Sequence, residues 1–307
     1  MTVGVTVNPA AGANAIDEAI ERARAAERAG LASVWSGQLF SYDAVGVAGL
    51  IGRAVPGINV GTSAVPIFGR HPILLATQAQ TTQAATGGRY TLGVALGAKD
   101  FVEPVFGVPY ERPIRRLREF LTALHAVFDD GGVELRGETL TAVSPMSTRL
   151  AGATPTPVLV AAMGPQALRV TGELADGTLP FLAGPRALGE HIVPAITAAA
   201  EAAGRPRPRV VALVPAVVTA DVEATRERAT AELAFYDTIP SYQRVVGLSG
   251  VSRAAELAAI GDEELVAATV RRYFDAGATE VVLSYTDLGG AADEDRTWRL
   301  GGALARG

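Results

Sequence analysis

The chain has 307 residues, 49% of them hydrophobic, and a formal net charge of −5. Its charges are spread without blocks of one sign, which supplies neither a nucleic-acid surface nor a membrane-binding face. Cysteine is absent, excluding disulfides, thiolate catalysis and cysteine-ligated zinc or iron–sulfur centres. The amino terminus MTVGVTVNPA lacks a basic region ahead of an apolar one, and no run of 18 uninterrupted apolar residues occurs. A soluble, cytoplasmic protein is therefore expected, with no membrane and no nucleic-acid partner.

The period of the hydrophobic pattern switches repeatedly along the chain. Val3–Val7 reads as a short buried strand, and Ala15–Ala29 as a helix stopped by Gly30. Ser33–Gly37 is a second strand, Asp43–Ala54 a second helix ended by Pro56-Gly57, and Ile58–Ala64 a third strand. The stretch His71–Gly97 is the most informative. His71-Pro72 opens a helix with proline in the first turn, Gly87-Gly88 closes it, and Tyr90–Leu96 is apolar on both faces like a strand covered on two sides. Pro113–Phe128 is helical, Glu134–Val143 a polar excursion with hairpin character, and Val158–Ala162, Pro165–Ala175 and Thr178–Leu182 form strand, helix and strand. A long helix covers Pro185–Ala203, a strand Val210–Val218, and a helix Asp221–Tyr236, followed by a loose region to about Gly261. Glu263–Ala276, Glu280–Tyr285 and Asp293–Ala305 close the chain as helix, strand and helix.

Eight strands, each followed by a helix, predict an α/β fold: a single (β/α)8 TIM barrel over residues 1–307, with insertions near 129–150 and 221–261. A doubly wound sheet would carry Gly-x-Gly-x-x-Gly after the first strand, where this chain reads NPAAGAN.

In such a barrel the active site lies at the C-terminal ends of the strands. Asn8, Gln38, Ser63-Ala64-Val65, Gly97-Ala98-Lys99, Met163-Gly164-Pro165, Leu182-Ala183-Gly184 and Tyr285 occupy those places. No carboxylate ends the first, second, third or fifth strand, and the only histidines are His71, His125 and His191, so no metal site is expected. The mouth is small, apolar and glycine-rich, a slot for a flat ligand whose own ring does the chemistry. Free N–H groups at Gly164, Gln166 and Ala167, at a strand–glycine–helix junction, suit the anionic end of that ligand; an ordinary turn with glycine for close packing is the alternative. Trp35 is read as core and Asp43 as a helix cap. Phe181 would floor the pocket or simply pack, and Arg70 and Arg89, which flank the third helix, are read as surface ion pairs, with anion binding by either as the alternative.

Five segments, AERAGLASVW (26–35), INVGTSAV (58–65), the HP…GGRYTLGVALG stretch (71–97), VLVAAMGPQAL (158–168) and ELADGTLPFLAGP (173–185), together resemble the luciferase-like oxidoreductases, in the branch that uses the deazaflavin coenzyme F420. The resemblance implies a TIM barrel with insertions, a small-molecule substrate and a homodimer. It also implies a cis peptide in GTSAV, at Ser63–Ala64, against the deazaflavin ring. By the same resemblance Gly97 and Ala98 line that ring, Met163-Gly164-Pro165 hold the ribityl phosphate side, and Lys99 pairs with an acidic tail or phosphate or is simply solvated. Asp176-Gly177 is read as a structural turn.

The chain departs from the family in two telling places. Members that oxidise an alcohol carry Asp-His after the second strand, where this chain has Gln38 and Leu39, and an acidic residue found in some members after the fourth strand falls on Ala98. Hydride transfer needs little beyond stacking and alignment, so reduction of an imine or activated double bond stays open, with water, Tyr285 or His71 as proton donor and Gln38 a further catalytic candidate. The alternatives are an FMN-dependent monooxygenase and a cofactor-binding relative with little turnover.

Overall fold

Side chains that begin and end helices set the frame. In the computed structural model, which describes residues 1–9 and 13–307, Asn14 Oδ1 accepts the N–H of Ile16 at 3.0 Å and opens helix α1, Ala15–Ala29, which Gly30 ends in the left-handed conformation. The middle of the NPAAGAN turn, residues 10–12, lies outside the described residues. Strand β1, Val3–Thr6, precedes that turn; β2, Ser33–Ser36, follows α1 and leads to α2, Ala44–Ala54. Asp43 caps α2, its Oδ2 accepting the Gly46 N–H at 2.8 Å.

The predicted third strand is shorter than its apolar run. It forms β3 only over Asn59–Thr62, and after a cis Ser63–Ala64 peptide the chain resumes as the two-residue β4, Val65–Pro66. Helix α3, Pro72–Ala85, and β5, Tyr90–Ala95, stand as expected, but Lys99–Phe106 forms a further helix, α4, that the pattern did not disclose because Pro104 lies within it. Helix α5, Pro113–His125, passes through a wider turn into the hairpin β6, Glu134–Arg136, and β7, Thr141–Val143. Then come β8 (Val158–Val160), α6 (Pro165–Leu174), β9 (Gly177–Thr178), the short α7 (Pro185–Ala187) and α8 (Val193–Ala202). Strand β10, Arg209–Val218, is followed by α9, Val222–Leu233. The region read as loose is ordered: it holds α10, Pro240–Leu248, and β11, Ala259–Gly261, which pairs with the end of β10. Helix α11 (Glu263–Asp275), β12 (Glu280–Ser284) and α12 (Ala291–Arg306) complete the chain.

Eight parallel strands close on themselves in the order β1, β2, β3, β5, β8, β9, β10, β12 and back to β1. Strand alternation then divides the apolar residues into two sets. Val3, Val5, Leu92, Val94, Val281 and Leu283 face the helices in the main core. Trp35, Leu159, Leu179, Val211, Leu213 and Val282 fill the barrel interior as a plug. Trp35 is the largest piece of that plug. It fits because Gly61 on the neighbouring strand has no side chain: a Cβ there would lie 2.4 Å from the indole. No helix among the described residues is long and apolar enough to cross a membrane.

Candidate active site at the barrel mouth

The plug determines what lies above it. Ala64, Ala161 and Phe181 pack half-buried on its upper side, so the floor of the mouth is two methyl groups and one aromatic ring. Around that floor each strand end contributes a short segment with its own support.

The β3 end is tied on both sides. Thr62 Oγ1 accepts the Gly93 N–H at 2.8 Å and donates to the Gly93 carbonyl at 3.0 Å, while the Ser63 N–H donates to the Ser36 carbonyl at 2.9 Å. The cis peptide falls at Ser63–Ala64, the bond the resemblance implied. Val65 is buried in register with Val94 of β5.

The β2 end is a closed hydrogen-bond knot. Gln38 Nε2 donates to the carbonyls of Leu39 and Tyr42, each at 2.6 Å, and its Oε1 accepts from the Ala44 N–H at 3.1 Å and from Arg70 at 2.9 Å. Arg70 also pairs with Asp43 at 2.9 Å, the ion pair read from the sequence. Asn8 Oδ1 accepts the Gly37 N–H at 2.9 Å. His71 caps α3: its Nδ1 accepts the Ile73 N–H at 3.3 Å, and its Nε2 lies 3.0 Å from the Thr141 carbonyl on the β6–β7 hairpin. That pattern corresponds to the tautomer protonated at Nε2. Arg89 departs from its reading as a surface ion pair. It donates instead to the carbonyls of Gly52, Val55 and Ile58 at the end of α2, at the other end of the barrel.

After β5, Gly97 takes φ +75° and is exposed, and its carbonyl accepts the Tyr110 hydroxyl at 3.0 Å. Ala98 precedes α4, whose first residue, Lys99, is solvent-facing and 4.0 Å from Glu103. Helix α4 brings Phe101 to 5.7 Å from Phe40 of the β2 loop and to 6.3 Å from Phe106, an aromatic rim that the sequence reading missed. After β8, Met163 is half-buried and Gly164 has an ordinary extended backbone with open space where a Cβ would stand. Pro165 has no N–H, and no side chain caps α6, so the N–H groups of Gln166 and Ala167 in its first turn have no partner within the helix.

The remaining side of the mouth is aromatic. Two non-glycine residues take left-handed backbone there, Leu182 at φ +54° and Tyr285 at φ +53°, a conformation that clusters at functional sites. The Tyr285 ring stacks on Phe181, 6.1 Å between centroids, and its hydroxyl lies 3.4 Å from that of Tyr236. Tyr236 and Tyr242, 4.8 Å apart, come from the ordered insertion after β10. Burial, with Tyr236 beside it, pushes the Tyr285 phenol far above the usual tyrosine range, so it stays protonated at physiological pH. Among the described residues no group of three or more histidines and carboxylates could hold a metal ion.

These observations define a (β/α)8-barrel protein whose mouth combines a small-residue floor, a helix start without a capping side chain and a tyrosine-rich wall. The luciferase-like monooxygenase family model matches residues 1–280, and the chain belongs to that family. A Mycobacterium tuberculosis protein whose assignment as a coenzyme F420-dependent oxidoreductase is itself provisional is 28% identical over 185 residues, 56% of this chain and 53% of its own length. Among solved structures, the coenzyme F420-dependent tetrahydromethanopterin reductase of Methanopyrus kandleri superposes with a TM-score of 0.77 at 21% identity, covering 99% of this chain and 98% of that one. The FMN-bound oxygenating constituent of 3,6-diketocamphane monooxygenase from Pseudomonas putida superposes at 0.76 and 16% identity, covering 98% and 96%. Likeness at these identities is likeness of fold.

Proposed function

We propose that the protein is an F420-dependent oxidoreductase that transfers a hydride between the deazaflavin ring and a small organic substrate, acting as a reductase of an imine or activated double bond. One observation carries this reading. The mouth offers a flat floor of Ala64 and Ala161 beside the Ser63–Ala64 turn, while Gln38, at the β2 end, is held by four hydrogen bonds and brings no acid or base to it.

The residues present fit such a cofactor. Ser63, Ala64, Val65, Gly97 and Ala98 would flank the ring, with Lys99 at the solvent side. Met163, Gly164, Pro165, Gln166 and Ala167 would hold the phosphate, where the open space at Gly164 and two N–H groups face an anion. When bound in reduced form, the deazaflavin supplies the hydride. Tyr285 holds the matching proton at its phenol oxygen, oriented by Tyr236, and the aromatic wall excludes water. His71 serves as a structural bracket in this scheme, both ring nitrogens being engaged.

Titrating F420 and FMN while following tryptophan fluorescence tests the proposal, because Trp35 belongs to the plug on which the floor packs. Micromolar or tighter F420 binding with much weaker FMN binding is expected; preference for FMN would instead make the protein a monooxygenase using flavin reduced elsewhere. Gly164→Leu should weaken F420 binding about tenfold or more with the unfolding midpoint little changed, since the backbone is extended and a Cβ there has no protein atom within 4 Å. Undiminished affinity would remove the phosphate from this helix.

A further inference from the structure

The barrel has a second polar cavity at the end opposite the mouth. It has a volume of about 350 Å³ and lies among the residues that begin the strands, including Thr2, Asn59, Arg89, Thr91, Arg209 and Glu280. Its lining holds two guanidinium groups and one carboxylate. That carboxylate, Glu280, is already engaged at both oxygens: Oε1 accepts from Ser33 Oγ and from Trp35 Nε1 (3.0 Å), and Oε2 pairs with Arg209 Nη2 at 3.2 Å. Arg209 donates its other terminal nitrogen to Thr91 Oγ1 at 3.2 Å, which leaves three of its five N–H donors uncommitted on a side chain 40% exposed.

Arg89, on the same wall, forms no ion pair among the described residues; its partners are the backbone carbonyls of Gly52, Val55 and Ile58. Burial lowers its pKa and the Glu27 carboxylate, too far for an ion pair, works against that. Within the lining itself two guanidinium groups face one carboxylate that already accepts three contacts, and the other lining is rich in hydroxyls. Planar guanidinium donors of this kind match carboxylate and phosphate oxygens.

We propose that this basal cavity binds a small oxyanion, a carboxylate or a phosphate, between Arg89 and Arg209. The volume, about 350 Å³, admits the anion together with a small organic remainder. Contacts from such a ligand to β5 and β10 would bridge two sides of the barrel base, so binding stabilises the folded chain. The site is separate from the mouth and does not depend on the cofactor assigned there.

Calorimetric titration of the full-length protein with inorganic phosphate and with succinate, at constant ionic strength set by chloride, tests this. Saturable one-to-one binding of either anion is expected, with a rise in unfolding temperature, and the tighter of the two identifies the chemical source. Arg89→Gln should weaken binding about tenfold or more. Because that change also removes hydrogen bonds at the end of α2, a second variant is needed. Thr2→Phe fills the cavity from a residue whose side chain makes no hydrogen bond among the described residues, and it should abolish binding with the unfolding midpoint in anion-free buffer retained. No saturable binding beyond the chloride control, or binding that survives both variants, overturns the proposal.

Discussion

Gly93→Ala is expected to destabilise the protein by about 3 kcal/mol or more and to abolish ligand binding at the mouth. An alanine Cβ at this position would lie 1.9 Å from the Thr62 carbonyl oxygen and 2.9 Å from Leu179 Cδ2. The first of these is backbone, so no rotamer change relieves it, and β3 and β5 must separate. Separation breaks both hydrogen bonds between Thr62 Oγ1 and Gly93, and Thr62 immediately precedes the Ser63–Ala64 turn. The fold and the mouth therefore fail together. Urea unfolding measures the first and fluorescence titration the second, with Gly164→Leu as a control in open space. A midpoint within the equivalent of about 0.5 kcal/mol of the parent would show that the two strands have slack the structure does not contain.

Removing the Glu119 carboxylate should cost about 2–3 kcal/mol at neutral pH. Glu119 lies on α5 and is buried beneath the β6–β7 hairpin. It accepts the N–H groups of Glu138 (2.8 Å), Thr139 (2.9 Å) and Leu140 (3.2 Å), the Thr139 hydroxyl (2.6 Å) and Arg115 Nε (2.8 Å). Burial by itself would raise its pKa, but the Thr139 hydroxyl, the two nearest backbone N–H groups and Arg115 outweigh that and hold it down to about 2 from the ordinary 4.5. A carboxyl depressed by folding contributes fully above its unfolded value, and that contribution drains away as pH falls through the folded value. The stability difference between the parent and Glu119→Gln should therefore be constant above about pH 5 and shrink steadily between pH 4.5 and 2. Equal spacing of the two curves across that window would mean that shape rather than charge holds the hairpin.

Much of the architecture is legible from local chemistry. Asp43 and His71 announce helix starts because their side-chain acceptors meet free N–H groups, and each performs that task in the fold. The two-sided apolar run at Tyr90–Leu96 announces a strand buried on both faces, and GTSAV with the other four segments announces the family to which the chain belongs. The misses have physical causes. Pro104 conceals α4 because it argues against a helix interior. The segment from Phe235 to Gly261 reads as loose because its turns are short and its apolar residues irregular, yet Val246 and Ala254 bury against Leu182 and Leu233. Arg89 reads as a surface cation because nothing local shows that the end of α2 will present three carbonyls to it.

The sequence alone determined the alternation of strands and helices, the caps, the barrel class and the small, uncharged character of the strand ends, since each of these depends on neighbours within a few positions. Tertiary structure decided which groups remain free to act. Gln38, His71 and Arg70 look like chemistry in the sequence and are consumed by partners up to 70 residues away, whereas Tyr236 looks like an anonymous tyrosine and lies against Tyr285 across 49 residues. Hydrogen bonds and charge balance are settled by whatever barrel closure brings together, and local sequence does not contain that information.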